Sequence, residues 1–178
     1  GGFNGVSKLH IDSDGYSDKA IITKDRTFDS KNLKDYVYSI FIDSKKRIWI
    51  GTDENGAYYL EGEQLINLPL NHNSVHSFAE DQNGKIWISM PDVGLGYFEN
   101  NNISYFMPKD GLSDPSPVSL LSMKNGKLIV VHANGFDILD PLTFRIIYHS
   151  SEENLADINS DLNSITQSID STIWIGTE

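Results

Sequence analysis

The sequence predicts an all-β fold, on three observations: a phrase that recurs four times, short runs rich in β-branched and aromatic residues, and turns punctuated by Gly and Asn. No stretch keeps a 3.6-residue apolar period over helical length. The first copy of the phrase is Ser39-Ile40-Phe41-Ile42-Asp43, then Lys45-Lys46-Arg47, then Ile48-Trp49-Ile50-Gly51-Thr52. A second runs from Val75-His76-Ser77-Phe78-Ala79-Glu80-Asp81 through Asn83-Gly84-Lys85 into Ile86-Trp87-Ile88-Ser89. The last runs from Ser164-Ile165-Thr166-Gln167-Ser168-Ile169-Asp170 into Ile173-Trp174-Ile175-Gly176-Thr177. Between them lies a weaker copy, Val118 to Met123 and then Leu128-Ile129-Val130-Val131, with Ile129 in the Trp place. The Trp-equivalent positions 49, 87, 129 and 174 stand 38, 42 and 45 residues apart.

Each copy reads as four strands. The first ends in Asp and the second is the Ile-Trp-Ile run, with a tight turn such as Asn83-Gly84 between them. A third follows a Gly, as in Gly56-Ala57-Tyr58-Tyr59-Leu60, Gly94 to Phe98 and Gly135 to Leu139. A fourth follows another turn, as in Gln64 to Leu68, Ile103 to Phe106 and Phe144 to Tyr148. Four-stranded antiparallel units of about 40 residues are β-propeller blades, stacked radially with their faces buried against one another. The first strand would line the central channel. Trp49, Trp87, Ile129 and Trp174 would fill the spaces between blades, each indole N–H needing a partner.

This reading divides the chain into the second half of a blade (1–35), three blades (36–70, 71–108 and 109–150) and the first half of another (151–178). That is about four blades' worth. The two halves would either close a small four-bladed ring or belong to a slice of a larger propeller, and starting and stopping inside a blade favours the slice. Open blade edges invite self-association.

Composition narrows the partners. Lys and Arg number 14 against 25 Asp and Glu, a formal net charge of −11. No nucleic acid is expected, because phosphate binding needs a cationic surface. With no Cys, thiolate metal sites and disulfides are excluded. There is no apolar run of membrane-spanning length and no signal peptide, so no membrane contact is expected from this segment.

The phrase of apolar residues, Asp, turn, Ile-Trp-Ile-Gly-Thr and Asn-Gly resembles the two-component-regulator propeller repeat. Ile48 to Gly56 and Ile173 to Thr177 carry the likeness, and Lys109-Asp110-Gly111-Leu112 resembles the connection between its blades. The third blade departs from it at Ile129 and at His132-Ala133. The resemblance implies the periplasmic or extracytoplasmic sensor region of an inner-membrane bacterial regulator, with a histidine kinase or other output domain elsewhere and an oligosaccharide as ligand. Two other classes stand beside it: an interaction propeller that dimerises and relays movement without a small ligand, and a polysaccharide-acting enzyme. An enzyme would need a converging acid–base pair, which the sequence does not show.

Candidate binding residues follow from loop placement. In a propeller the loops from second to third strand and from blade to blade share one face, and loops on a rigid scaffold carry function. That face gathers His72, Asp92, His132 and Asn134 as candidate ligand contacts. The five histidines (10, 72, 76, 132 and 149) show no metal-ligand spacing, so neither metal nor cofactor is expected. Asp12-Ser13-Asp14-Gly15 reads as a turn, since it lacks the further ligands of a calcium loop. Asp43, Asp81 and Asp170 read as acceptors for turn N–H groups. The series Tyr58, Tyr59, Tyr97, Phe98, Tyr105 and Phe106 reads mostly as packing between blades, with a sugar platform as the rival.

Overall fold

The repeated phrase folds into repeated sheets. The computed structural model describes residues 6, 9–12, 21–24, 35–62, 64–133, 135–150 and 160–177. The three central units are four-stranded antiparallel meanders. The first is β3 (Val37–Ile42), β4 (Ile48–Thr52), β5 (Ala57–Glu61) and β6 (Gln64–Asn67). The second is β7 (Ser77–Glu80), β8 (Ile86–Met90), β9 (Gly94–Glu99) and β10 (Asn102–Phe106). The third is β11 (Ser119–Ser122), β12 (Leu128–His132), β13 (Gly135–Asp140) and β14 (Arg145–His149). Before them stands the pair β1 (Leu9–Asp12) and β2 (Ile21–Lys24), and after them the pair β15 (Ser160–Gln167) and β16 (Ile173–Thr177). These two pairs are separate two-stranded sheets. The fold is an all-β partial propeller.

First strands lie innermost. They pack side by side in the order β3, β7, β11, β15 and enclose a cavity of about 270 Å³ lined by Tyr38, Ile40, Ser77, Leu120, Asn163 and Ile165. Asn163, with φ of 56°, donates through Nδ2 to the carbonyls of Tyr38 (3.0 Å) and His76 (2.6 Å), tying the fourth inner strand back to the first sheet.

The hairpin between first and second strands explains the phrase. Its turn closes with the same pair of backbone bonds at Asp43, Asp81, Met123 and Ser168. The third residue on, Lys46, Gly84, Gly126 or Ser171, has positive φ each time. Asp43 accepts from the Arg47 N–H (2.8 Å), Arg47 Nε (2.6 Å) and, six residues on, Trp49 Nε1 (2.9 Å). Asp81 accepts from Asn83 N, Lys85 N and Trp87 Nε1 (3.0 Å). The Asp therefore holds the turn and satisfies the buried indole. In the third sheet both ends of this clip change together, to Met123 and Ile129.

Asp170 accepts a turn N–H as expected, but its place in the hairpin differs from that of Asp43 and Asp81. The backbone equivalent of Asp43 is Ser168, and Asp170 lies inside the turn, accepting from Thr172 N and the Ser168 hydroxyl. The inner strand also starts earlier than the phrase suggested, at Ser160, with a register shift before Ile165.

Trp49 and Trp87 are fully buried between sheets. Trp49 packs on Phe78, Ile86, Ile88, Met90 and Phe98, side chains of the next sheet. Trp87 packs on Leu120, Leu128, Val130 and Leu139 of the following one, with Leu112 of the connection tucked beside them. Against each indole lies a buried cation enclosed by three rings. Arg47 sits 4.9, 5.3 and 5.6 Å from the centroids of Trp49, Tyr59 and Phe98. Lys85 sits 5.6, 5.0 and 4.3 Å from those of Trp87, Tyr97 and Phe144. Tyr59, Tyr97 and Phe98 thus serve the seams, with the ring quadrupoles offsetting part of the cost of burying each charge.

Ile129 is buried on the opposite face of its sheet from Leu128 and Val130. Trp174 differs: it is 63 % exposed, and neighbouring Ile169 is 97 % exposed.

The Gly of Ile-Trp-Ile-Gly-Thr is set by close approach. A Cβ on Gly51 would lie 2.5 Å from Ser39 Oγ and 2.7 Å from the Val75 carbonyl, where one blade meets the next. Gly51→Ala is expected to destabilise the chain by about 1–3 kcal/mol through overpacking. A urea midpoint shifted down at unchanged slope would register it.

Candidate functional site

Buried polar groups converge where the third sheet meets the connection before it. On β13 the third residue is Asp137, while the corresponding positions opposite the second strand in the other sheets are Tyr58 and Gly96. Asp137 is 0 % exposed. A carboxylate so placed must be fully hydrogen-bonded. It accepts from Ser113 N (2.9 Å), Ser113 Oγ (2.7 Å) and His149 Nδ1 (2.8 Å). Ser113 Oγ also lies 3.0 Å from His132 Nε2. With its own proton given to Asp137, the hydroxyl receives the imidazole N–H. On the other side of the ring, His132 Nδ1 is 3.9 Å from Asp114 Oδ2.

Three strands supply this cluster. His132 ends β12, Asp137 lies on β13, and His149 ends β14 directly opposite Asp137. A bulge on β14 sets that pairing: Ile138 pairs with Tyr148 but Leu139 with Ile146, leaving Ile147 as the extra residue. In unbroken register Tyr148 would stand opposite Asp137 instead. The two imidazoles lie nearly parallel, 22° apart, with centroids 6.3 Å from one another. Burial pushes the His132 imidazole below its ordinary value, against the opposing pull of Asp137 and Asp114, so the ring is neutral at neutral pH.

Among the described residues, the predicted loop-face contacts are not gathered at one point. His132 is in the cluster just described. Asp92 is exposed, with φ of 62°, and exchanges hydrogen bonds with Ser116: its N–H donates to Ser116 Oγ (2.9 Å), which donates to Asp92 Oδ1 (3.0 Å). Ser116 N donates in turn to Asp114 (2.7 Å). His72 stands elsewhere, its Nδ1 accepting from Ser74 N (3.2 Å). Asn134 lies outside the described residues. The turn at Asp12 to Asp18 falls beyond them too, except for the strand residue Asp12.

His72 belongs to a second feature, an open groove of about 470 Å³ at the edge of the first sheet. Asn55, Asn67, Asn73 and Glu54 line it, with Tyr58 on one wall. Beneath it Asp35 fixes the loop, accepting from Glu54 N (2.9 Å), Asn55 N (3.0 Å) and Asn55 Nδ2 (2.9 Å). Burial would raise the Asp35 carboxyl, but these donors together hold it below its ordinary value, so it is ionised at neutral pH.

Ser113, Asp137 and His149 escaped sequence reasoning. Their one signal was an Asp within a strand on a face whose neighbours are apolar.

The sequence profile described as two component regulator propeller matches residues 33–54 and 69–92, spanning the first two Trp phrases. No curated protein matches the chain. Among solved structures, the extracellular domain assigned to a hybrid two component system of B. thetaiotaomicron is similar, with 22 % identity and a TM-score of 0.75, over 91 % of this chain and 23 % of that one. An extracellular domain assigned to a one component system of the same organism gives 20 % identity and a TM-score of 0.73, over 99 % and 26 %. Virginiamycin B lyase from Staphylococcus aureus gives 15 % identity and a TM-score of 0.70, over 98 % and 57 %. The chain spans about a quarter of the length of the two extracellular domains. At these identities the likeness shows the propeller fold. Among the described residues no helix is long and apolar enough to cross a membrane.

Proposed function

We propose that this chain, which carries repeats of the two component regulator propeller, is part of the extracytoplasmic sensor region of a membrane-anchored regulator and binds an oligosaccharide on its loop face. The repeat match at 33–54 and 69–92 supports the sensor class. The groove beside His72 carries the ligand reading. Its three asparagines offer paired donors and acceptors without net charge, and Tyr58 adds a partly exposed ring, the combination that suits a neutral polyol. The chain's charge of −11 disfavours an anionic glycan. Its role here is binding, with no catalytic step.

A thermal-shift screen against neutral oligosaccharides tests this. At 100 times its dissociation constant a ligand adds about 2.7 kcal/mol to the native state. The expected result is a reproducible upward shift with one glycan class, lost in Asn55→Ala and His72→Ala. No shift across a broad panel would leave the second reading, an interaction module, favoured by the exposed Trp174 and Ile169. That module would associate with another chain through the β15–β16 face.

A further inference from the structure

We propose that His132, Asp137 and His149 form a binding site for one divalent transition-metal ion of the zinc class. The proposal rests on these side chains and not on the sensor reading.

Each residue offers one donor atom, and the three donors lie within 4.8 Å of one another. Metal–N and metal–O bonds of about 2.0–2.2 Å require donors roughly 3.4 Å apart in a tetrahedral site. His149 Nδ1 and Asp137 Oδ1 are already 2.8 Å apart. Ligation would replace the His149 Nδ1–H bond to Asp137, the proton leaving and the half-exposed ring rotating to reach that spacing. Two imidazoles and a carboxylate suit zinc, cobalt, nickel or copper, whereas calcium and magnesium call for an all-oxygen shell.

The surroundings are those a metal site needs. Binding through Nε2 takes the His132 tautomer whose proton is on Nδ1, so the Nε2–H bond to Ser113 Oγ would give way to the metal. Ser113 donates twice to Asp137 Oδ2, which fixes the carboxylate and leaves Oδ1 to point at His149. With His132 bound through Nε2, its Nδ1–H would face the Asp114 carboxylate, 3.9 Å away. His132 and Asp137 are buried while His149 opens to solvent, which gives the ion a way in. Three protein ligands leave a fourth position for water or for a group on a bound molecule.

The full chain, stripped with chelator and dialysed, would be titrated with zinc chloride by calorimetry, and with cobalt(II) by visible absorption. One zinc per chain is expected, together with a cobalt spectrum of tetrahedral intensity. His149→Gln, at a half-exposed position, should keep the fold by circular dichroism and lower zinc affinity at least about tenfold. Ser113→Ala should lower it about 10–100-fold by freeing the carboxylate. His72→Gln should bind as the parent does. Absence of saturable binding with zinc in excess overturns the site, and so does zinc affinity unchanged by His149→Gln.

Discussion

Asp43→Ala is expected to cost about 3–5 kcal/mol, because it leaves the buried Arg47 guanidinium without its counter-charge. It also removes the acceptor of the Trp49 indole and of the Arg47 N–H. Asp81→Ala is the matched comparison. Its carboxylate holds the Trp87 indole and two turn amides, but Lys85 Nζ pairs with Glu99 at 3.9 Å instead. Asp81→Ala therefore orphans neutral donors, at about 1–3 kcal/mol for each that stays dry. Urea unfolding should rank Asp43→Ala below Asp81→Ala, and both below the parent chain. Equal losses would mean that the aromatic box alone stabilises Arg47. The pH dependence has a definite sign. Burial would raise the Asp43 carboxyl, but the bonds from Trp49 and Arg47 prevail and hold it below the ordinary 3.8. Its contribution is therefore present above pH 3.8 and is lost as pH falls through the lower folded value. Asp43→Asn should reduce that part of the acid limb.

Trp87→Ala is expected to cost about 3–5 kcal/mol, the usual range for emptying an aromatic site in a core. The indole is fully buried, and its loss opens the seam on which Leu120, Leu128 and Leu139 pack. Trp174→Ala occupies the same place in the repeat and should change stability by no more than about 0.5 kcal/mol, as for an ordinary surface site. The pair of variants separates motif from environment. A loss at Trp174 comparable to that at Trp87 would show that another surface covers β16 in solution, and sedimentation would then reveal association.

Most of the fold was legible because its signals are local. The phrase sets the hairpin through the Asp-to-Trp spacing of six, visible as Asp43 to Trp49 and Asp81 to Trp87. The Trp position on the second strand of packed blades pointed to burial between sheets, which Trp49 and Trp87 show and the exposed Trp174 does not. The position of Asp170, though not its turn N–H bond, misled for the same reason. An Asp close before Ile-Trp-Ile looks equivalent, yet its spacing to Trp174 is four, and the backbone gives that role to Ser168.

The buried polar cluster was legible only at His132. Asp137 and His149 are twelve residues apart in sequence and meet across two strands. Their meeting depends on one extra residue, Ile147, whose bulge rephases the end of β14. Nothing in the order of residues marks that insertion. Ser113 was hidden similarly, since a connection was read for its exposed polar groups and this one turns inward to a buried carboxylate.

The three tryptophans also have an optical consequence. Two indoles are sealed between sheets, each hydrogen-bonded to an aspartate and facing a cation, and the third stands in water. A dissolved collisional quencher should extinguish the red-edge emission of Trp174 while leaving the bluer emission of the other two. The C-terminal hairpin therefore carries its own native fluorophore. Docking of any partner there would be readable as a blue shift and protection from quenching, with no label attached.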